Sequence, residues 1–246
     1  MKKKIKILAI IPSRSGSKGI KNKNITNIFG KPLIYYSIFF AKECKFIDKI
    51  LVSTDEKKYQ KISENCGLKV NYLRPKKISK DNSLDISFFK HAINFLKIKE
   101  NYKPDFVIHL RPTSPLRKIK DLKKMLNILI KEKKADSVRS ISEMNKNPYK
   151  CWKINSANLL KPLMINNTYF KEPYNAPRQL LPNFCYQNGV YDIFRTRILK
   201  KNLISGKKII GYYTKENVDI DTYYDLKNLK QFKQKFINFK KYIKTK

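Results

Sequence analysis

Apolar and polar positions along this chain fall into short blocks that alternate between two periods. Ile7 to Ile11 is an unbroken apolar run, and Ile50-Leu51-Val52 and Phe106-Val107-Ile108 repeat the pattern within Lys49 to Ser53 and Asp105 to Leu110. Runs of this length suit strands covered on both faces. Lys69 to Leu73 reads as a further strand. Between them lie helix-like stretches: Pro32 to Cys44, opened by a proline in its first turn; a helix capped by Thr54 or Asp55 and ending at Cys66 before Gly67; and about Leu84 to Leu96. Strand, helix, strand, helix predicts an α/β fold with a mostly parallel sheet and right-handed crossovers.

Asp121 to Lys133 continues the pattern as a helix with Leu122, Met125, Leu126, Leu129 and Ile130 on one face, and Ser137 to Ile141 as a strand. Then the periodicity breaks. Met144 to Asn183 is rich in Asn and Pro, with Trp152, Tyr169, Phe170 and Tyr174 interspersed, and fits no crossover helix; it reads as an extension from the core. Strand character returns at Tyr186 to Phe194 and Lys208 to Tyr213. A C-terminal helix follows, with Thr222 and Asp225 as a capping box. Its stripe of Leu226, Leu229, Phe232, Phe236, Phe239 and Ile243 reads as core packing, while its lysines leave a membrane-surface helix conceivable.

Composition narrows the class. The 246 residues suffice for one large domain or a domain with an appendage, and 41% hydrophobic content argues against a disordered basic chain. A net charge of +36, from 55 Lys and Arg against 19 Asp and Glu, would attract polyanions. The excess is mainly lysine, spread along the chain with abundant Asn, Ile, Tyr and Phe, which is the mark of compositional bias rather than of a nucleic-acid stripe. Cys44, Cys66, Cys151 and Cys185 form no C-x-x-C pair, and only His91 and His109 could join them, so buried free thiols are expected rather than zinc or disulfides. The apolar run after Lys2-Lys3-Lys4 is interrupted by Lys6 and ends at Pro12, too short for a signal peptide. With no run of transmembrane length, a cytoplasmic protein is expected.

Three loops carry the candidate chemistry. Ser13-Arg14-Ser15-Gly16-Ser17-Lys18-Gly19 follows the first strand, with Lys21 and Lys23 beyond. Small residues, hydroxyls and cations at the carboxyl end of a strand form a phosphate cradle. The spacing is neither that of a Walker A loop nor of a G-x-G-x-x-G turn, and a plain basic surface loop would look similar. Arg111-Pro112-Thr113-Ser114-Pro115-Leu116-Arg117 follows the Phe106 strand, where Arg111 and Arg117 could hold phosphate or carboxylate bidentately. Asp219-Ile220-Asp221 puts two carboxylates on one face of an extended segment. A solvated acidic turn is the plain alternative, but two such acids in so basic a chain favour Mg²⁺ shared with substrate phosphates. Cations, hydroxyls and paired acids together point to a nucleoside triphosphate with Mg²⁺.

At these residues the sequence resembles the cytidylyltransferases of nonulosonic acids, typified by CMP-sialic acid synthetases. The resemblance rests on Ile10 to Asn24, Ser53-Thr54-Asp55, Leu73-Arg74-Pro75, Pro112 to Arg117, Pro177-Arg178-Gln179, Asn188-Gly189 and Asp219 to Thr222, in the family's order over nearly the whole chain. It implies a Rossmann-like sheet of the nucleotide-diphospho-sugar transferase type. CTP plus a sialic, legionaminic, pseudaminic or related acid would give the CMP-sugar and pyrophosphate, for cell-surface polysaccharide synthesis. Arg14, Lys18 and Lys23 would hold the triphosphate, Asp219 and Asp221 would bind Mg²⁺, and both groups are expected to be catalytic. Ser13, Ser15, Gly16, Ser17 and Asn24, with Arg74, Asp81 and Ser83, are implied on the nucleotide side. Arg111, Thr113, Ser114, Lys150, Arg178, Gln179 and Asn188 are implied on the sugar side.

The resemblance further implies a catalytic domain over residues 1–230, with 144–183 as an inserted dimerisation arm and 231–246 as the end of the basic helix. The assembly would be a homodimer, with neither nucleic acid nor membrane as a partner. Two positions depart from the family pattern: Arg111 stands where glutamine is common, and Asp192 where an aromatic is usual. Arginine there implies a sugar with different acylamino groups, or a grip on its carboxylate. Alternatives are a 3-deoxy-manno-octulosonate cytidylyltransferase, although the threonine-arginine-leucine-proline run of that enzyme's first loop is missing, or a basic nucleic-acid-binding protein using Gly16-Ser17-Lys18-Gly19 as a G-x-x-G loop. A membrane-associated scaffold is third.

Overall fold

The structure is a computed structural model describing residues 4–17, 19–166, 169–214 and 218–245. Its strands are β1 (Ile7–Pro12), β2 (Asn27–Ile28), β3 (Lys31–Pro32), β4 (Lys49–Ser53), β5 (Phe106–His109), β6 (Ser137–Glu143), β7 (Trp152–Ile154), β8 (Leu160–Pro162), β9 (Cys185–Arg195) and β10 (Ile209–Tyr213). The helices are α1 (Leu33–Glu43), α2 (Lys57–Asn65), α3 (Asp85–Glu100), α4 (Ile119–Lys131), α5 (Tyr223–Asn228), α6 (Lys233–Ile237) and α7 (Phe239–Tyr242). One sheet runs in the order β10-β6-β9-β5-β1-β4. β1 pairs in parallel with β4 and β5, whereas β9 runs antiparallel to β5, with His109 opposite Asp192. The result is a mostly parallel α/β sheet flanked by helices.

Strand alternation divides the core. Ala9 and Ile11 of β1 enter one cluster with α1, α4 and the C-terminal helices; Leu8 and Ile10 enter another with Phe88, Phe89, Ala92 and Leu96 of α3. Both faces are thus covered, as the unbroken apolar runs require. The chain divides into two compact units, Ile141–Gln187 and the remainder. In the smaller unit β7 and β8 form a hairpin, and Tyr149, Ala176 and Leu181 make a small core of their own.

Three expectations change. Lys69 to Leu73 is not a strand. It runs beside β4 across a cleft of about 290 Å³, and its Val70 carbonyl is satisfied by the Gln60 side chain instead of a ladder partner. α2 begins later than expected, with Glu56 at its N-cap. The C-terminal helix breaks into α5, a 3₁₀ turn over Leu229–Phe232, α6 and α7. Its stripe nevertheless packs inward: Phe236 and Phe239 lie 4.9 and 5.0 Å from the Tyr36 ring, and Ile243 is fully buried. That packing removes the basis for a membrane-surface helix. The Thr222–Asp225 capping box forms as expected. No helix among the described residues is long and apolar enough to cross a membrane. Of the four free cysteines only Cys44 is buried, its thiol pushed up to about 12 by that burial; Cys185 is exposed.

Candidate active site

β1, β4 and β5 are parallel, so the loops that follow them leave from one edge of the sheet. The loop after β1 turns at Gly16, which takes φ +74°, a conformation favouring glycine. Asp55, just past β4, anchors this loop by accepting hydrogen bonds from Ser15 N and Oγ, both at 2.8 Å. Arg14 pairs with Asp81 at 2.5 Å, and Asn24 Nδ2 donates to the Arg14 carbonyl. Among the described residues Ser13 Oγ is buried without a hydrogen-bond partner. Lys18 lies outside the described residues.

The acidic segment docks onto this edge by backbone contact. Ile220 N donates to the Thr113 carbonyl at 2.8 Å. The position a Cβ on Gly19 would occupy is only 2.5 Å from the Asp221 carbonyl oxygen. Lys23 Nζ meets Asp221 Oδ1 at 2.5 Å, and Asp219 Oδ1 lies 3.5 Å from Ser114 Oγ. Burial raises the Asp219 carboxyl above its ordinary range, Thr113 opposes that, and Asp221 adds to it. Asp219, Asp221, Lys23, Thr113, Ser114 and the first loop therefore converge.

On the α3 side, Arg74 is buried with its guanidinium 5.4 Å from the Phe88 ring centroid and its Nε without a partner among the described residues; burial lowers its pKa, and Asp55 opposes the shift. Ser83 sits in the turn before α3, its N–H bonded to the Lys80 carbonyl. Arg111 donates to Asp192 at 2.6 Å. Asn188 is buried in a network with Ser140, Thr214 and the Val190 N–H. Lys150 donates to the Tyr174 carbonyl, and Arg178 and Gln179 lie on a 3₁₀ turn; all three belong to the Ile141–Gln187 unit.

Arg117 corrects the sequence reading. It is fully buried and spends its guanidinium on the Val190 carbonyl (2.8 Å), Ser37 Oγ (3.1 Å) and the Arg111 carbonyl (2.6 Å). Burial lowers its pKa to about 10. It fastens the loop rather than holding a ligand. Asp55, a candidate helix cap and part of the Ser53-Thr54-Asp55 motif in the sequence, instead anchors the first loop, and Asp85 carried no sequence signal beyond its place at the start of a helix.

The donor set of Asp219 and Asp221 suits a hard cation such as Mg²⁺, which is commonly held by one or two carboxylates with substrate phosphates completing the shell. Among the described residues no group of three or more His, Cys, Asp or Glu side chains could hold a metal without such help.

A family model described as Cytidylyltransferase matches residues 8–242. The chain belongs to that family. Its relatives include the CMP-N,N'-diacetyllegionaminic acid synthase of Legionella pneumophila, 31% identical over 89% of this chain and 92% of that protein. The N-acylneuraminate cytidylyltransferase of Escherichia coli is 35% identical over 57% of this chain. That match spans 32% of the E. coli protein, so this chain covers about a third of that relative. In fold it is similar to a CMP:2-keto-3-deoxy-manno-octonic acid synthetase complexed with CTP, at TM-score 0.67 and 14% identity over 95% of this chain and 99% of that one. The G-x-x-G alternative loses its structural basis, because here the loop follows strand β1 instead of joining two helices.

Proposed function

We propose that the protein transfers the cytidylyl group of CTP to a nonulosonic acid of the sialic, legionaminic or pseudaminic type, releasing pyrophosphate. The observation that carries this reading is the convergence of the β1 loop, the Arg111–Arg117 loop and the Asp219–Asp221 segment at one sheet edge, in a chain of the cytidylyltransferase family. Arg14 and Lys23 would exchange their exposed carboxylate partners for the triphosphate, and such pairs are worth little in water, so the exchange costs little. Fixed cations then act where negative charge develops on the leaving pyrophosphate. Ser13 Oγ, Ser15, Gly16, Ser17 and Asn24 would seat the nucleotide, with Arg74, Asp81 and Ser83 beside it. Lys18 completes the cation set in this reading. Thr113, Ser114 and Arg111 would face the sugar, with Asn188 holding the strand behind them. A Mg²⁺ ion held by Asp219 and Asp221 would neutralise phosphate charge and favour a deprotonated sugar hydroxyl.

Self-association is part of the proposal. The Ile141–Gln187 unit exposes Trp152, Ile154, Leu160, Leu163, Ile165 and Tyr169, an apolar surface suited to a homodimer arm that brings Lys150, Arg178 and Gln179 to bear on the sugar. The reading is of a cytoplasmic enzyme supplying a sugar for cell-surface polysaccharide. Nonulosonic acids are favoured over 3-deoxy-manno-octulosonate because the relatives at 31% and 35% identity are named for the former.

The test is pyrophosphate release with and without Mg²⁺, for wild type and Asp221→Asn. Release that needs the metal in wild type and falls at least about a hundredfold in the variant supports the assignment. Metal-independent release, or a fully active variant, contradicts the role given to the carboxylates.

A further inference from the structure

Arg111 and Asp192, the two positions that the resemblance singles out, are partners in one ion pair. Arg111 follows β5 two residues beyond His109, and Asp192 lies opposite His109 on β9. Arg111 Nη1 donates to Asp192 Oδ2 at 2.6 Å and to the Gly189 carbonyl at 3.4 Å, and Nη2 lies 3.8 Å from Asp85 Oδ2. The Asp192 side chain is 5% exposed and that of Arg111 26%. Arg139 Nε and His109 Nδ1 stand 3.6 and 3.9 Å from the same carboxylate. A carboxylate this deep is costly to bury unless a cation meets it; Arg111 and Arg139 stand against Asp192 and Asp85, two cations against two carboxylates, so the arginine at the rim has little net charge left for an anion. It keeps its N–H donors: a guanidinium carries five, in a rigid fork.

We propose that Asp192 is a positioning residue. It fixes the Arg111 guanidinium on the sugar side of the site, and the neutral pair selects a neutral hydrogen-bond acceptor on the substrate, an acylamino carbonyl, rather than the sugar carboxylate. This rests on the function proposed above. A site that hydrogen-bonds one substituent rejects an analogue lacking it, because its own buried polar groups are then left unpaired.

The test is a double-mutant cycle of Arg111→Gln, Asp192→Asn and the double variant. N-acetylneuraminic, N,N'-diacetyllegionaminic and pseudaminic acids serve as probes, and the best substrate is compared with an analogue bearing hydroxyl in place of the acylamino group. The expected result is a rise of about tenfold in sugar KM for Asp192→Asn, with kcat and the KM for CTP nearly unchanged, and a double variant within about threefold of Arg111→Gln. Wild type should disfavour the hydroxyl analogue by about tenfold or more, and Arg111→Gln should not. Independent effects that multiply, an unchanged sugar KM, or equal handling of the two sugars in wild type overturns the proposal. If Asp192→Asn fails to fold, a folded double variant supports the pairing, and an unfolded one assigns Asp192 to Arg139 and His109 and overturns it. A wild type that binds no CTP, or turns over none of the three acids, defeats the underlying reading before any variant is compared.

Discussion

Gly19→Ala probes the join between the phosphate loop and the acidic segment. A Cβ at residue 19 would stand 2.5 Å from the Asp221 carbonyl oxygen and 3.7 Å from its carbonyl carbon. Ordinary contact begins near 3.4 Å, so loop and acidic segment must part by about 0.9 Å, and the obstructing oxygen is backbone, with no flexible side chain to turn aside. The displacement falls on Asp221, on the Lys23 pair and, through the Ile220–Thr113 hydrogen bond, on the Arg111–Arg117 loop. Misplacing reacting groups by about 1 Å costs on the order of a hundredfold in rate, whereas overpacking at this exposed position should cost stability only about 1 kcal/mol, the low end of the usual range. The assay is steady-state pyrophosphate release, with CTP affinity by calorimetry and a thermal melt on the same preparations. The expected outcome is a kcat/KM about a hundredfold lower in a folded protein. Gly30→Ala is the control: φ is +88° but nothing lies within 4 Å of the added carbon, so it should lose about 1 kcal/mol of stability and keep its kcat. A Gly19→Ala enzyme with wild-type kcat/KM would refute the view that this close approach sets the position of Asp221.

Arg117→Met removes three hydrogen bonds, to the Val190 carbonyl, Ser37 Oγ and an Arg111 carbonyl that keeps Ser114 N, so it should cost about 2–4 kcal/mol in urea unfolding; a loss under about 1 kcal/mol would contradict a buried fastening role. Burial, aided by Arg111, Arg117 and Arg139, holds the His109 imidazole neutral well below its usual range. The unfolded chain gains a proton there as pH falls through about 6.5 and the folded chain does not, so stability drops with acidification. His109→Gln should therefore lose less stability between pH 7 and pH 5, by up to about 1.4 kcal/mol per pH unit; an equal loss would show that His109 titrates in the fold. Asp225→Ala opens the capping box of α5 and should cost about 1 kcal/mol by urea melts, and no change would mean that the cap is idle.

The fully apolar strands were readable because burial on both faces leaves no room for polar residues: Lys49 to Ser53 matches β4 residue for residue, and Ile7 to Ile11 misses only Pro12 of β1. Lys69 to Leu73 misled because alternating buried Val70 and Tyr72 imitate a strand, while Gln60 supplies what a ladder would. The direction of β9 is not written in its residues, since an antiparallel strand inside a covered sheet carries the same pattern as a parallel one. Loop chemistry at the sheet edge was legible from residue type, but partnership was not. The Lys23–Asp221 pair spans 198 residues, and the fates of Arg111 and Arg117 differ only because one ends at the rim and the other beneath it.

Cytidylyl transfer itself is measured by incubating the wild-type protein with CTP, Mg²⁺ and each of the three nonulosonic acids, and quantifying pyrophosphate and CMP-sugar together. Equal amounts of both are expected with at least one acid, and neither without sugar. Failure to bind CTP, or pyrophosphate release that ignores the sugar, would contradict the proposed transfer.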